Sequence, residues 1–384
     1  MSRYQVLVIG GGYAGMLAAV RASREKRARV TLVEPASYFT QRIRLHEAAA
    51  GGRIDSFSYQ QVLAKRGIQW LQGWLTNWDK AAQRATISTA HGEQQLAYDY
   101  CVYAVGSRFQ QPPFPVGGAP FHVLNSLAKS QHLYQQLMGN QMHNEVLVVG
   151  GGLTGIELST ELAARLPHLK VTLACAADSF DHFTRRARQH LWQAFNRLGV
   201  EVRTDKVTRV VDNHVYFADG ECRQFHHKVW CGGFETNADR PRYELNDQLQ
   251  LPEYPNHFVA GDAGACRNVD DSTIRMGCVS AMPMGIYAGD AIARQIRGKS
   301  LAPFRFAFMM RCISLGREDG LIQFTHYNDE PKQTILTGKT AAFVKEAICK
   351  MTFNMIRWEY ATGWPLYQWP KPKQSVANNY ESTY

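Results

Sequence analysis

The chain alternates short apolar runs of strand length with longer segments in which apolar residues recur at helical spacing. Apolar runs rich in β-branched residues lie at 4–9 and 146–149, and an alanine-rich or leucine-rich helical segment follows each of them. A second apolar run then closes each unit, at 30–33 and 171–174. This order of strand, helix and strand predicts parallel sheets covered by helices, and therefore an α/β fold.

These two units are copies of one pattern, because residues 6–39 and 146–180 each contain a G-x-G-x-x-G turn between the first strand and the helix. In such a turn the first glycine permits a tight bend, the second lets the backbone approach a pyrophosphate, and the third lets helix and strand pack closely. The N-terminus of the following helix attracts phosphate. Two turns predict two dinucleotide sites, with Gly10, Gly12, Tyr13, Ala14 and Gly15 in the first and Gly150, Gly152, Leu153, Thr154 and Gly155 in the second.

The two copies differ at the end of their second strand. Glu34 stands there in copy one, where a carboxylate accepts hydrogen bonds from ribose hydroxyls, and Cys175 stands at the equivalent place in copy two. Copy one is therefore a complete adenosine site. Copy two is a phosphate cradle whose preference between NADH and NADPH is left open.

Further apolar strands precede Ala104-Val105-Gly106, Gly233 and Gly261-Asp262. With the two glycine turns, they resemble the pyridine nucleotide-disulfide oxidoreductase family of two-dinucleotide flavoproteins, in particular type II NADH dehydrogenases and apoptosis-inducing-factor-like flavoproteins, over residues 4–300. The resemblance implies FAD at copy one, with Asp262 on its ribityl chain, and NADH or NADPH at copy two, with nicotinamide stacked on the flavin. It also implies FAD contacts at Arg42, Ala104, Val105, Gly106, Gly261 and Met282, and NAD(P) contacts at Glu157 and Gly233.

The resemblance further implies two nested Rossmann-like domains, and the residue pattern after position 300 predicts a C-terminal α+β segment. The FAD-binding domain would comprise residues 1–112 and 246–300. The NAD(P)-binding domain would comprise residues 113–245. Residues 301–384 would form an interface or membrane-surface segment, with a strand expected over 304–311.

Four residues are candidates for catalysis. Glu157 could bind the nicotinamide carboxamide or relay a proton, or it could be a solvated first-turn glutamate. Arg42 and Arg44 alternate as in a strand, so they could together clamp an anionic substrate or stabilise reduced flavin, or they could pair with surface acids. His46 could act as general acid or base, or be structural.

Two departures from the family pattern bear on the chemistry. No cysteine pair follows the first unit, which excludes dithiol chemistry there, and the eight cysteines suit neither a zinc site nor a disulfide framework. The stretch at 276–285 lacks the glutamines that type II dehydrogenases carry near the quinone pocket. Cys278, within that stretch, is expected to be a packing residue.

The net charge of +10 is concentrated at the two ends of the chain. Cations near the end of the first helix are expected to be solvated, so no specific nucleic-acid partner is predicted. A helix predicted over 339–360, with Val344, Ile348, Met351 and Met355 on one face, leads into a tryptophan-rich tail. Basic residues with interfacial tryptophans over 339–373 favour a membrane surface, and the alternative is packing on the chain's own body or on a dimer mate.

Three functions fit these observations. The first is an FAD-dependent oxidoreductase that passes hydride from NAD(P)H to a quinone or another small acceptor. The second is a flavin-dependent dehydrogenase or oxidase of a small, anionic metabolite, with O2 or NAD(P)+ as acceptor. The third is a non-enzymatic basic flavoprotein that binds a membrane or nucleic acid. No run of 18 apolar residues and no signal peptide is present, so we expect a cytoplasmic protein or one peripheral to the inner face of the membrane.

Overall fold

The computed structural model describes residues 3–139, 144–236 and 242–372. The helices are α1 (Tyr13–Ala22), α2 (Leu45–Ala49), α3 (Tyr59–Ala64), α4 (Leu127–Gly139), α5 (Leu153–Arg165), α6 (Arg185–Leu198), α7 (Cys278–Ile296) and α8 (Gly338–Thr362), with 3-10 turns at Arg42–Arg44 and Gly261–Ala263. The strands are β1 (Tyr4–Ile9), β2 (Ala28–Val33), β3 (Gln69–Leu71), β4 (Trp74–Asp79), β5 (Arg84–Thr89), β6 (Gly92–Ala97), β7 (Tyr100–Tyr103), β8 (Arg108–Phe109), β9 (Val116–Gly117), β10 (Glu145–Val149), β11 (Lys170–Ala174), β12 (Glu201–Arg203), β13 (Val207–Val211), β14 (His214–Phe217), β15 (Cys222–Gln224), β16 (His227–Trp230), β17 (Phe234–Glu235), β18 (Tyr243–Glu244), β19 (Gln250–Leu251), β20 (Tyr254–Val259), β21 (Gly264–Ala265), β22 (Met310–Ser314), β23 (Gly320–Thr325) and β24 (Pro331–Thr337).

The first glycine turn lies in a six-stranded sheet ordered β19-β20-β7-β1-β2-β3. Its strands β20, β7, β1, β2 and β3 run parallel, and β19 is antiparallel to β20. The sheet thus combines strands from the beginning of the chain with β20, which returns from beyond the second unit. The residues after β7 and after β20 consequently lie at the same edge as the turn after β1.

The second glycine turn lies in a separate parallel sheet ordered β12-β11-β10-β16. Each nucleotide unit also carries a small antiparallel sheet, β4-β5-β6 in the first and β13-β14-β15 in the second, where β9 pairs with β13. The repeat therefore extends beyond the glycine turns to the whole unit. The α/β architecture predicted from the sequence is confirmed.

Helices α1 and α7 pack against each other at close range in the first unit. A Cβ on Gly285 would overlap the carbonyl oxygen of Ala14, and one on Gly289 would lie 2.5 Å from that of Ala18. Both alanines are buried. This close crossing fixes the beginning of α7 beside the first glycine turn.

The C-terminal segment folds into the antiparallel sheet β22-β23-β24 and helix α8. The strand expected over 304–311 was wrong, because 301–309 has no regular structure and β22 begins at Met310. The predicted helix is confirmed: Met351, on its apolar face, is exposed, whereas Lys345 and Glu359 lie inward. Two ion pairs, Lys345 with Glu157 and Glu359 with Arg21, set the orientation of the helix. The pattern of apolar residues in the sequence does not predict such pairs. No helix in the described ranges is both long and apolar enough to cross a bilayer.

Candidate functional site

The first glycine turn has the geometry that a pyrophosphate site requires. Gly10 has a φ of +99°, and a Cβ there would overlap the Ala104 carbonyl oxygen. A Cβ on Gly15 would overlap the carbonyl oxygen of Gly10, so α1 packs directly on the turn. No surrounding atom lies within 4 Å of the place where Gly12 would carry a Cβ. The backbone at Gly12 therefore faces open space at the N-terminus of α1, where a phosphate fits.

The Glu34 carboxylate is fixed beside this turn. Its Oε2 accepts a hydrogen bond from the Gly11 N–H (2.7 Å), and its Oε1 accepts one from the Ala36 N–H (3.0 Å). The Tyr59 hydroxyl donates to the Gly11 carbonyl oxygen (2.7 Å) and supports the same loop. Burial raises the pKa of Glu34, although the two N–H donors oppose that shift. The carboxylate is thus held where the end of β2 meets the glycine turn, as a ribose site requires.

Asp262 lies in the 3-10 turn after β20, at the same edge of the sheet. Its Oδ2 accepts a hydrogen bond from the Ser107 hydroxyl (2.6 Å), and its Oδ1 accepts one from the Gly277 N–H (2.9 Å). Arg42 donates to the Ser107 carbonyl oxygen (2.9 Å). Burial lowers the pKa of Arg42, and the Asp262 carboxylate opposes that shift. The structure therefore brings together Arg42, Gly106 and Asp262, and it adds Ser107, which sequence reasoning missed.

The other residues expected at the FAD site pack mainly against protein atoms. Ala14 packs against Gly261, whose φ is +76°. Tyr13 packs edge-on against Phe39, with ring centroids 5.3 Å apart. Met282 exposes 1% of its surface within the core, so its side chain packs against protein. Val105 follows β7 and packs partly against the core.

The second glycine turn has the same backbone features as the first. Gly150 has a φ of +124°, and a Cβ on Gly155 would overlap its carbonyl oxygen. A Cβ on Gly152 would have no neighbour within 4 Å. Leu153 and Thr154 form the beginning of α5. Gly233 (φ +120°) follows β16, next to the Gln110 side chain. The second glycine turn therefore has room for a dinucleotide, as the first turn has.

Glu157, two residues after Gly155, is buried at the junction of the two units with the C-terminal segment. Its Oε1 lies 2.9 Å from Lys345 Nζ and accepts a hydrogen bond from the Ser314 N–H (3.1 Å). Its Oε2 lies 3.8 Å from Nδ1 of His46, which is also buried. Burial lowers the pKa of Lys345, but the Glu157 carboxylate outweighs it, so the net shift is upward. The predicted catalytic residues Glu157 and His46 are thus neighbours, and Glu157 is paired with a lysine that was not predicted.

A second ionic layer surrounds this group. Glu47 accepts hydrogen bonds from Arg44 (2.8 Å) and Arg317 (2.9 Å), and Arg317 also lies 2.9 Å from Glu161. Arg44 contacts Glu346 on α8 as well (3.0 Å). Burial raises the pKa of Glu47, but His46 and these two arginines outweigh it, so the net shift is downward. The layer joins α2, α5 and α8 at one point.

The expectation that Arg42 and Arg44 point the same way was wrong. They lie in a 3-10 helix with about three residues per turn, in which positions two apart diverge. Arg42 consequently faces Ser107, and Arg44 faces the carboxylates of Glu47 and Glu346.

A cavity of about 380 Å³ opens beside the ionic layer. Its lining includes Glu47, Arg317, Lys345, Glu346 and Cys349. It leads from the surface between α8 and the β22–β23 turn to the Lys345 side chain. Burial raises the pKa of Cys349, in keeping with a neutral packing thiol. The same cause raises the pKa of Cys278 to about 11.

The sequence resembles those of known proteins over most of its length. A family model described as pyridine nucleotide-disulphide oxidoreductase matches residues 4–272. An NADH dehydrogenase-like protein of Mycobacterium tuberculosis is 30% identical over 349 residues, covering 81% of this chain and 86% of that protein. A type II NADH:quinone oxidoreductase of Staphylococcus aureus is 26% identical over 391 residues, covering 90% and 94%.

Solved structures share the fold. NDH2 from Plasmodium falciparum in complex with NADH matches with a TM-score of 0.79 at 13% identity, covering 95% of this chain and 100% of that chain. The sulfide:quinone oxidoreductase from Aquifex aeolicus matches with a TM-score of 0.76 at 18% identity, covering 92% and 91%. The likeness extends through the C-terminal sheet and α8.

Proposed function

Because the chain belongs to the pyridine nucleotide-disulphide oxidoreductase family, we propose that it transfers hydride from NADH or NADPH, through bound FAD, to a quinone or another small acceptor. Family membership and the similar proteins confirm the predictions of an oxidoreductase that uses FAD and NAD(P)H. The observation that carries the proposal is the pair of glycine turns, which share one geometry, one of them completed by Glu34. The quinone is proposed from the S. aureus relative, whose name states that acceptor.

The residues of the first unit fit FAD. Gly12 leaves room for a pyrophosphate, Glu34 is placed for the ribose, and Asp262 lies at the same edge of the sheet for the ribityl chain. When bound, FAD supplies a carrier that takes up a hydride and releases its electrons to an acceptor. Ser107 and Arg42 position Asp262 through the contacts described above.

Glu157, Lys345 and His46 are proposed to handle the proton that the acceptor needs. Reduction of a quinone to a quinol takes two electrons and two protons, whereas a hydride brings two electrons and only one proton. Because its pKa is raised, Lys345 stays protonated and holds the Glu157 carboxylate in place, and it lines the cavity that opens to the surface. Glu157 and His46, 3.8 Å apart, form the buried acid–base pair that can pass a proton to the acceptor and recover it from solvent.

The same contacts argue against the anionic-substrate alternative. Arg44 is already paired with Glu47 and Glu346, and Arg42 donates to a backbone oxygen. An incoming anion would have to displace these partners. We therefore do not extend the proposal to a clamp formed by these arginines.

We further propose that α8 and the residues after it lie on a membrane surface. Phe343, Trp358 and Trp364 are exposed there, at 73%, 51% and 70%. Lys350 and Arg357 lie on the same helix and are also exposed. Aromatic side chains among cations suit a lipid interface. A homodimer that uses this face is the alternative, and the vesicle experiment in the Discussion separates the two.

The domain limits predicted from the sequence are kept as a proposal. The six-stranded sheet draws its strands from residues 4–103 and 250–259, which supports an FAD-binding domain of 1–112 and 246–300. The second parallel sheet draws its strands from residues 145–230, which supports an NAD(P)-binding domain within 113–245. Residues 301–384 would then form the C-terminal interface segment.

An anaerobic reduction experiment tests the proposed function. Purified protein loaded with FAD is mixed with NADH or NADPH under argon, and the absorbance of oxidised flavin is followed. Reduction by at least one nucleotide is expected, followed by reoxidation when a water-soluble quinone is added. If neither nucleotide at millimolar concentration bleaches the flavin, the proposed donor is wrong. If bleaching occurs but quinone does not restore the absorbance, the proposed acceptor is wrong.

A further inference from the structure

The nicotinamide nucleotide site differs from the FAD site at the one position that reads the ribose. Glu34 and Cys175 are structurally equivalent, because each follows the last residue of the strand beside its glycine turn. The Gly10 N–H donates to the Val33 carbonyl oxygen at 2.8 Å, and the Gly150 N–H donates to that of Ala174 at 2.8 Å. The next residue in each copy is Glu34 or Cys175.

The floor of the ribose site is correspondingly charged in one copy and neutral in the other. A Cβ on Gly11 would lie 2.8 Å from Glu34 Cγ. A Cβ on Gly151 would lie 2.7 Å from Cys175 Cβ and 2.6 Å from Ser179 Oγ. A thiol and a hydroxyl therefore occupy the space that a carboxylate occupies in copy one. Burial raises the pKa of Cys175, so its thiol carries no charge near neutral pH.

The neighbouring strand, β12, places no unpaired arginine beside Cys175. Arg203 ends β12, and its carbonyl oxygen accepts a hydrogen bond from the Cys175 N–H (2.9 Å). Its guanidinium already binds Asp219 (2.6 Å) and Glu221 (2.5 Å). A phosphate on the ribose 2′ oxygen would thus meet neither a carboxylate at the strand end nor an unpaired arginine from β12.

We propose that this second site accepts NADPH and NADH with similar affinity, and that the neutral pair Cys175 and Ser179 is the determinant. The inference rests on the proposed function, since it concerns the hydride donor of that reaction. A carboxylate at the strand end normally binds the ribose hydroxyls of NADH and repels a 2′-phosphate. With a thiol and a hydroxyl in its place, the repulsion is absent and the Ser179 hydroxyl can donate to either group.

Equilibrium binding tests this without relying on turnover. We expect the dissociation constants of NAD+ and NADP+ for the FAD-loaded protein, measured by calorimetry, to differ by less than about tenfold. Cys175→Asp is expected to weaken NADP+ binding by at least about tenfold relative to NAD+, because it restores a charge near the 2′-phosphate. The isosteric Cys175→Ser is the matched control and should leave the ratio unchanged.

Several results would overturn the inference. The first is an unmodified protein that binds NADP+ more than about a hundredfold more weakly than NAD+. A ratio that Cys175→Asp does not alter would be equally decisive, and Ser179→Asp serves as a second probe if that variant loses FAD. If the protein strongly prefers NADH and Asp178→Asn abolishes that preference, the exposed carboxylate of Asp178 determines the choice of nucleotide, and the pair Cys175 and Ser179 does not. Failure of both nucleotides to reduce the flavin would instead refute the proposed function.

Discussion

Lys345 on α8 and Glu157 on α5 form a buried ion pair, with Nζ 2.9 Å from Oε1. This pair links the C-terminal helix to the helix that begins at the second glycine turn. It lies at the inner end of the cavity that opens to the surface beside α8. The function of the C-terminal segment and the protonation chemistry of the site are therefore coupled through two side chains.

Lys345→Met should separate the two half-reactions. Flavin reduction by NADH should be little changed, whereas reoxidation by quinone should slow by about a hundredfold because the acid–base pair of Glu157 and His46 loses the cation that holds it in place. The variant should also lose about 3 kcal/mol of stability, because the Glu157 carboxylate stays buried without its cation. Rapid-mixing absorbance and urea unfolding measure the two effects. Lys350→Met, on an exposed face of the same helix, is the control, and equal effects in both variants would contradict the assigned role.

Glu34→Ala should weaken FAD binding by at least about tenfold, because a charged hydrogen-bond acceptor beside the ribose is lost. The Gly11 N–H would lose its partner at the same time. Flavin retained through gel filtration measures the effect. Glu93→Ala removes an exposed glutamate from β6 and should retain FAD fully. Full retention by Glu34→Ala would refute the assignment of copy one to FAD.

Asp319 should make the protein sensitive to acid. Burial raises the pKa of this carboxyl, but hydrogen bonds to His190 (2.9 Å) and Arg197 (2.6 Å) outweigh it and lower the pKa to about 2. A depressed folded pKa stabilises the fold above the unfolded value, and that stabilisation is lost as pH falls from about 4 towards 2. Asp319→Asn should cost about 2 kcal/mol at neutral pH and almost nothing near pH 2.

Urea unfolding of both proteins across that pH range tests the prediction. Asp271→Asn removes an exposed partner of Arg267 (3.0 Å) and should change stability by less than about 1 kcal/mol. A difference between native protein and Asp319→Asn that does not depend on pH would show that the carboxylate acts through packing and not through its charge.

Gly285→Ala should force α1 and α7 apart. The added methyl group would overlap the Ala14 carbonyl oxygen, so a cost of about 1–3 kcal/mol is expected. FAD binding should also weaken, because the N–H of Gly277, just before α7, holds Asp262. Thermal unfolding and flavin titration measure both. Gly139→Ala adds the same methyl group where no neighbour lies within 4 Å and should not destabilise the protein.

The features that could be read from the sequence are those with local causes. The two glycine turns were predictable because their spacing follows from steric contacts within one strand–helix unit, such as that of Gly15 with Gly10. The carboxylate at Glu34 follows from the same local register. Strand β20, with Gly261 after it, could be placed beside β7 only through the family resemblance.

The features that escaped the sequence depend on contacts between distant segments. In the sequence Lys345 lies off the apolar face of the predicted helix, and no neighbouring residue indicates that Glu157 is its partner. Glu359 escaped for the same reason: it exposes 1% of its surface because Arg21 on α1 binds it. Since ion pairs of this kind set which face of α8 is buried, hydropathy alone could not decide which way Met351 faces.

The exposed aromatic side chains of the C-terminal segment should carry membrane binding. Phe343 and Trp364 would each bury apolar surface worth about 2 kcal/mol on entering a lipid interface. Phe343→Ser with Trp364→Ser should therefore cost about 4 kcal/mol and reduce binding to anionic phospholipid vesicles by several hundredfold. Flotation with vesicles measures it. Trp74→Ser, which removes an equally exposed tryptophan (68%) from β4, is the matched control and should bind normally. If the native protein does not float with vesicles, the membrane proposal is wrong. If the double variant instead converts a dimer to a monomer in sedimentation, this face serves a second copy of the chain and the membrane proposal is again wrong.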